Sequence, residues 1–128
     1  DQARSGADIV MELTGSPDAL NLALELCAYS GRIIVGSWYG SKNTELKLGE
    51  RFHRNRISIV SSQVSTISPE LRGRWDKERR LSVAWDRIRK LEPQQFISHR
   101  LTLSDAADAY RLLDSVSEEA LQIVFDYR

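Results

Sequence analysis

The 128 residues, of which 41% are hydrophobic and 28% are charged, have the composition of one globular domain. Seven Gly, three Pro and a single Cys exclude collagen-like, low-complexity and disulfide-stabilised chains. No apolar run approaches the roughly 20 residues of a membrane helix, and we do not expect the polar residues 1–8 to be a signal peptide. We therefore expect a cytoplasmic protein with no membrane attachment.

The net charge is zero, but the charged residues are unevenly distributed along the chain. Residues 1–50 have a net charge of −3, residues 51–100 of +7 and residues 101–128 of −4. The basic middle is compatible with a polyanion site, with contacts to the acidic ends of another chain, or with a solvated helix face. We do not expect nucleic-acid binding, because acidic residues interrupt the basic run at 72–80.

The first half of the chain predicts a strand followed by a helix. Residues 8–13 form an apolar run typical of a buried strand. Ser16 is a suitable N-cap residue, and Pro17 fits the first helical position. Apolar side chains then recur at helical spacing, and Gly31 predicts the end of the helix. The helix is expected to pack against a sheet.

Two more strands are predicted before an internal boundary. Residues 32–36 form one of them, residues 40–43 are expected to form a turn, and residues 57–60 form the other. The short links between strand, helix and strand indicate parallel pairing. The chain is therefore expected to be α/β, with the internal boundary near residue 64.

The second half predicts two helices and two strands. Residues 76–91 have the pattern of an amphipathic helix, whose apolar face contains Leu81, Ala84, Trp85, Ile88 and Leu91. Pro93 ends this helix, and a strand is expected at 95–101. Ser104 is the expected cap of a second helix, and residues 121–127 are expected to form the last strand.

Motifs that would identify a phosphate or metal site are not found in the sequence. It contains neither Gly-x-Gly-x-x-Gly nor the P-loop pattern. With one Cys and two His far apart, we do not expect zinc in this chain. Cys27 lies on the apolar stripe of the predicted helix, where a core thiol is expected rather than a nucleophile.

The ends of the three predicted parallel strands are the candidate site. Ligands of open parallel sheets bind beyond the carboxyl ends of the strands. At these positions the sequence has small or hydrogen-bonding residues, which a cofactor could approach closely: Thr14, Gly15, Val35, Gly36, Ser37, Ser61 and Ser62. Gly and Ser also occur at strand ends simply because they form turns, so this pattern alone leaves the function open.

Five stretches of the sequence resemble one protein family in order along nearly the whole chain. They are residues 6–20, which include the run Asp-Ile-Val-Met-Glu-Leu-Thr-Gly, then Gly-Arg-Ile-Ile-Val-Gly at 31–36, and residues 98–101, 105–113 and 120–124. Together they resemble the C-terminal portion of medium-chain dehydrogenases/reductases, the relatives of zinc-type alcohol dehydrogenases. Residues 52–56 and 61–63 resemble a subgroup that includes bacteriochlorophyllide-type dehydrogenases.

The resemblance implies two parts and a partial cofactor site. Residues 1–64 resemble the second half of a Rossmann-like nucleotide-binding domain, and residues 65–128 resemble the α/β segment that completes the catalytic domain. Thr14 and Gly15 would lie near the adenosine of NAD or NADP, residues 35–37 near the nicotinamide, and Ser61 and Ser62 near its amide. The zinc domain and the glycine-rich phosphate loop of the family have no counterpart in this sequence.

The resemblance also implies an assembly and a function. The strand between Arg56 and Ser62 corresponds to one that pairs across a two-fold axis in dimeric relatives, so we expect a homodimer or a strand-exchanged oligomer. The expected function is that of a C-terminal fragment of an NAD(P)-dependent alcohol dehydrogenase-like oxidoreductase, inactive as an isolated chain. The alternative is a non-catalytic interaction module derived from the same fold. The sequence leaves open whether this chain binds any nucleotide.

Overall fold

The computed structural model describes residues 5–115 and 119–127. The chain divides into two compact units, with the division between Thr66 and Ile67. Each unit contains a parallel β-sheet together with helices, which confirms the predicted α/β class. The assignment of residues 1–64 and 65–128 to two parts of a dehydrogenase stays a prediction.

Three parallel strands and one helix form the first unit. They are β1 (Ala7–Glu12), α1 (Ala19–Leu26), β2 (Cys27–Val35) and β3 (Ser58–Ser61), and the strand order is β1-β2-β3. Met11 pairs with Ile34, and Ile34 pairs with Val60. The β-branched residues of β2 suit the central strand of a sheet. The predicted strand–helix–strand unit and its parallel pairing are therefore confirmed.

Helix α1 begins later than the sequence predicts. Asp18 occupies the N-cap position in place of Ser16, and no side chain caps the helix. The carbonyl groups of Ser16 and Pro17 instead accept hydrogen bonds of 3.1 Å from the amides of Ala19 and Leu20. The prediction was wrong because a tight turn of backbone hydrogen bonds precedes the helix and replaces the side-chain cap.

Helix α1 also ends before the predicted stop at Gly31. Its last residue is Leu26, because Cys27 is extended and already pairs with Ala7 in the sheet. Gly31 lies within β2, where an added Cβ would be 2.6 Å from the Sγ atom of Cys27. Close packing within the strand therefore accounts for this glycine. Cys27 lies in β2, not on the helix, and its side chain is fully buried.

One face of the first sheet packs against α1 and forms the core of the unit. The core residues are Leu20, Ala23, Leu24, Cys27, Ile33 and Ile57. Ile33, at 0% exposure, is the largest fully buried side chain of β2. Burying such a side chain contributes about 1.5–3 kcal/mol to folding, so this small cluster supplies much of the unit's stability.

The opposite face of the same sheet is apolar and exposed. Ile9, Met11 and Leu13 alternate along β1 and just beyond it, and their exposed fractions are 55%, 66% and 70%. Because successive side chains of a strand alternate between faces, the register places Ile34 and Val60 on this face too. Such a face is typical of a sheet that packs against a further layer of structure.

The segment between β2 and β3 is irregular and lies along α1. Its predicted turn at 40–43 is present, closed by a bond of 3.1 Å from the Lys42 amide to the Tyr39 carbonyl. Asn21 of α1 donates to the Glu45 carbonyl at 2.9 Å and accepts from the Lys47 amide at 3.1 Å. A short π-helical turn at Leu48–Phe52 follows and leads toward β3. These bonds hold the segment against the helix.

The second unit contains helices α2 (Lys77–Leu91) and α3 (Ala106–Ser115) and strands β4 (His99–Thr102) and β5 (Ile123–Asp126). The two strands are parallel. Asp76 caps α2 by accepting from the Arg79 amide at 2.7 Å, which confirms the predicted start of this helix. The apolar face of α2 is exposed, with Leu81 at 58% and Leu91 at 63%.

Both strands of the second unit are shorter than predicted. A 3-10 turn at Pro93–Phe96 occupies the beginning of the expected strand at 95–101, because Pro93 favours a turn.

Thr102, not Ser104, forms the capping box that precedes α3, together with Asp105. Within 5–115 and 119–127, no helix is both long and apolar enough to cross a membrane.

Candidate functional site

The carboxyl ends of the three parallel strands lie side by side at one edge of the first sheet. Glu12 pairs with Val35, and Val35 pairs with Ser61. The Gly36 amide donates to the Glu12 carbonyl at 2.9 Å, and the Ser62 amide donates to the Val35 carbonyl at 2.7 Å. We call this the strand-end edge, and it brings together all the predicted cofactor residues: Thr14, Gly15, Val35, Gly36, Ser37, Ser61 and Ser62.

A hydrogen bond joins the turn after β1 to the loop after β2. The Gly15 amide donates to the Ser37 hydroxyl at 2.9 Å, and this hydroxyl in turn lies 3.5 Å from the Glu12 carbonyl. Gly15 has a φ of +74°, a conformation that favours glycine, and an added Cβ would meet no atom within 4 Å. The Lys42 ammonium donates to the Gly15 carbonyl at 3.0 Å and brings a positive charge to the turn.

A buried carboxylate lies beneath the edge. Glu12 is 3% exposed, although it is charged. Its Oε1 accepts hydrogen bonds of 2.6 Å from both the amide and the hydroxyl of Thr14, and its Oε2 accepts one from the Tyr39 hydroxyl. These donors satisfy a charge that would otherwise destabilise the fold.

The hydrogen bonds of Glu12 determine its ionisation. Burial raises the pKa of this carboxyl, but the bonds from Thr14, Tyr39 and Ser37 outweigh burial and lower its pKa from 4.5 to about 2. Burial and the neighbouring carboxylate raise the pKa of Tyr39 to about 12. At neutral pH the pair is therefore a carboxylate and a neutral phenol that donates to it.

The same network determines what the edge offers to a ligand. A hydroxyl has a single donor proton, and that of Thr14 is directed to Glu12. The Ser37 hydroxyl donates toward Glu12, whose carbonyl oxygen lies 3.5 Å away. Each hydroxyl also accepts one protein hydrogen bond, Thr14 from the Ser16 amide at 3.1 Å and Ser37 from the Gly15 amide at 2.9 Å, so one acceptor position on each is left for a ligand proton. Gly36 has a packing role, because an added Cβ would be 2.5 Å from Cδ2 of Leu13.

Glu12 and Tyr39 are absent from the residues predicted from the sequence. An acidic residue inside the apolar run 8–13 was a usable signal for Glu12, because a buried charge requires partners. Tyr39 has no such signal, since it lies in an irregular segment and meets Glu12 only through the fold.

Cys27 does not contribute a nucleophile to this edge. Burial raises the pKa of the Cys27 thiol, which keeps it protonated and unreactive in the core. Among the residues that the structure describes, no group of three or more His, Cys, Asp or Glu side chains could hold a metal ion.

Comparisons with known proteins find that the chain is similar to dehydrogenases. The chain is 25% identical over 123 residues to D-guloside 3-dehydrogenase of Escherichia coli K12, and the match covers 94% of the chain and 35% of that protein. The corresponding protein of Shigella flexneri matches equally. The chain thus spans about a third of the length of these curated relatives. No family model matches it.

Solved structures share the fold. A short chain alcohol dehydrogenase of Escherichia coli CFT073, complexed with the cofactor NADH, matches 95% of the chain and 33% of its own, with a TM-score of 0.69 and 16% identity. L-idonate 5-dehydrogenase of Escherichia coli K-12 matches 97% of the chain over 32% of its own length, with a TM-score of 0.69 and 18% identity. The chain therefore has the Rossmann-like parallel α/β fold of these dehydrogenases, over about a third of their length.

Proposed function

We propose that this chain is the C-terminal portion of an NAD(P)-dependent medium-chain dehydrogenase/reductase. The observation that carries the proposal is the strand-end edge, where three parallel strands bring every predicted cofactor residue together. The similarity to D-guloside 3-dehydrogenase over 94% of the chain supports a dehydrogenase. The comparisons do not support the alternative of a stand-alone interaction module.

The residues of the edge fit one part of a nicotinamide nucleotide. Thr14 and Gly15 would contact the adenosine, residues 35–37 the nicotinamide, and Ser61 and Ser62 its amide. The open space around Gly15 allows a flat ligand to approach the backbone. The Ser37 hydroxyl, which already accepts from the Gly15 amide, has one further acceptor position for a ribose or amide proton. A nicotinamide bound there would exchange a hydride with an alcohol or carbonyl.

The edge provides only part of a complete nucleotide site. The sequence has no glycine-rich phosphate loop, so it offers no such cradle for the pyrophosphate. We therefore expect weak binding of NADH or NADPH and no turnover by the 128-residue chain alone. The reaction, the substrate and the choice between the two nucleotides belong to the longer protein.

A finer assignment concerns the subgroup and the assembly. Residues 52–56 and 61–63 support membership of the bacteriochlorophyllide-dehydrogenase-like subgroup. A homodimer or strand-exchanged oligomer through residues 56–62 would complete the sheet, since β3 is the last strand in the order β1-β2-β3. Pairing through this strand would join the sheets of two copies.

Isothermal titration calorimetry of the full chain with NADH and with NADPH tests the proposal. We expect saturable binding of at least one nucleotide, weakened by Ser37→Ala and unchanged by Ser41→Ala, a matched change in the exposed turn at 40–43. The absence of saturable binding of either nucleotide, at concentrations up to the millimolar range, would refute the proposed nucleotide role of this chain.

A further inference from the structure

We infer that Glu12 is a positioning residue of the strand-end edge, whose carboxylate fixes the turn after β1 against the loop after β2. The part of this inference that names a nucleotide as the ligand of the edge rests on the proposed function. The geometry of the edge itself stands on the hydrogen bonds of the first unit.

Glu12 contacts both loops of the edge at once. Its side chain holds Thr14 through two hydrogen bonds of 2.6 Å and accepts the hydroxyl of Tyr39 from the segment after β2. Its backbone carbonyl accepts the Gly36 amide at 2.9 Å and lies 3.5 Å from the Ser37 hydroxyl. Glu12 thus bonds to four residues of these two loops, Thr14, Gly36, Ser37 and Tyr39, and is their common anchor.

A direct catalytic role is less consistent with this geometry than a positioning role. The side chain is 3% exposed, and both of its oxygens already accept hydrogen bonds from protein donors. A general acid or base must reach the proton that it transfers, within hydrogen-bond distance or through one water molecule. Glu12 therefore acts through the residues that it holds.

The positioning also affects Gly15, which is linked to Glu12 through the Ser37 hydroxyl. Its amide donates to the Ser37 hydroxyl at 2.9 Å, a bond that forms only while the two loops are in register. Protection of the Gly15 amide against hydrogen exchange therefore reports the positioning, whereas the Thr14 amide reports its own direct bond to Glu12.

Amide hydrogen exchange of the full 128-residue chain, followed by NMR, tests the inference. Ile33, which is fully buried on the central strand β2, reports unfolding of the whole unit. We expect Glu12→Ala to accelerate exchange at Gly15 about tenfold more than at Ile33, because two charge-assisted anchors are lost. Glu12→Gln, which keeps the shape and one acceptor oxygen, is expected to restore part of the protection.

Two further variants keep the test decisive. Tyr39→Phe removes a single donor to Glu12, so it serves where Glu12→Ala fails to fold, and the same selective acceleration at Gly15 is expected on a smaller scale. Glu25→Gln makes the same change of charge on the exposed side of α1, and it is expected to leave the exchange rates of the Gly15 and Ile33 amides unchanged. Unchanged exchange at Gly15, or equal acceleration at Gly15 and Ile33 in the folded variants, would overturn the inference.

Nucleotide binding by the same variants separates this inference from the proposed function. If the wild-type chain binds NADH, Glu12→Ala is expected to weaken binding at least tenfold, and equal affinity would overturn the positioning role. If the wild-type chain binds neither NADH nor NADPH, the proposed nucleotide role fails. The comparison of Gly15 with Ile33 then still decides whether Glu12 positions the edge.

Discussion

The ionised Glu12 side chain is expected to make the stability of the first unit depend on pH. Its pKa is lowered from 4.5 to about 2 in the folded chain, so the folded state binds this proton more weakly than the unfolded state does. The stabilisation is therefore fully present above pH 4.5 and is lost as the pH falls toward 2. Glu12→Gln removes this dependence, because an amide does not titrate in this range.

The size of the effect follows from the shift in pKa. A change from 4.5 to about 2 corresponds to at most about 3 kcal/mol, of which about 2 kcal/mol is lost by pH 3. Since small domains are stable by only about 5–15 kcal/mol, this is a large share. Urea unfolding followed by circular dichroism at pH 7 and at pH 3 measures this loss of unfolding free energy.

The assay compares the wild type with Glu12→Gln and with Glu25→Gln as the matched control. The free energy of unfolding of the wild type is expected to fall by about 2 kcal/mol more than that of Glu12→Gln between pH 7 and pH 3. Glu25→Gln is expected to follow the wild type. A difference between the wild type and Glu12→Gln that is the same at both pH values would refute the assigned ionisation of Glu12.

Three other expectations test the core, the packing of β2 and the assembly. Ile33→Ala should lower the free energy of unfolding by about 2–5 kcal/mol. Ile9→Ala, on the exposed face, should change it by no more than about 0.5 kcal/mol. Equal losses of stability in the two variants would contradict the assigned core. Gly31→Ala should cost about 1–3 kcal/mol, because its Cβ would be 2.6 Å from Cys27, and full stability in urea would contradict this packing. Light scattering after gel filtration should show a dimer or larger oligomer, and a monomer at micromolar concentration would refute pairing through residues 56–62.

The local elements of the fold could be predicted from the sequence wherever a local signal determines them. The start of α2 depends on Asp76 and its bond to the Arg79 amide, three residues along the chain, and that start was predicted correctly. The parallel pairing of β1 and β2 followed from the helix that connects them, joined to both strands by short links. The end of α1 was predicted wrongly, because pairing of Cys27 with Ala7 competes with the helix and no local pattern shows it.

The candidate site was predictable in position but not in chemistry. Strand ends of a parallel sheet meet at one edge, so Gly15 and Ser37 could be placed near each other before the structure was known. The bond between Glu12 and Tyr39 joins residues 27 positions apart and depends on the path of an irregular segment. The hydrogen-bond partners of the Thr14 and Ser37 hydroxyls, which determine what these groups still offer a ligand, follow only from that network.

The central claim is that the strand-end edge contacts a nicotinamide nucleotide. NMR of the ¹⁵N-labelled chain, titrated with NADH and then with NADPH, tests it residue by residue. The account predicts that one nucleotide shifts the amide signals of Gly15, Gly36, Ser37 and Ser62 with a common affinity, while the signals of α2 stay unchanged. Shifts confined to other parts of the chain, or no shifts with either nucleotide, would contradict it.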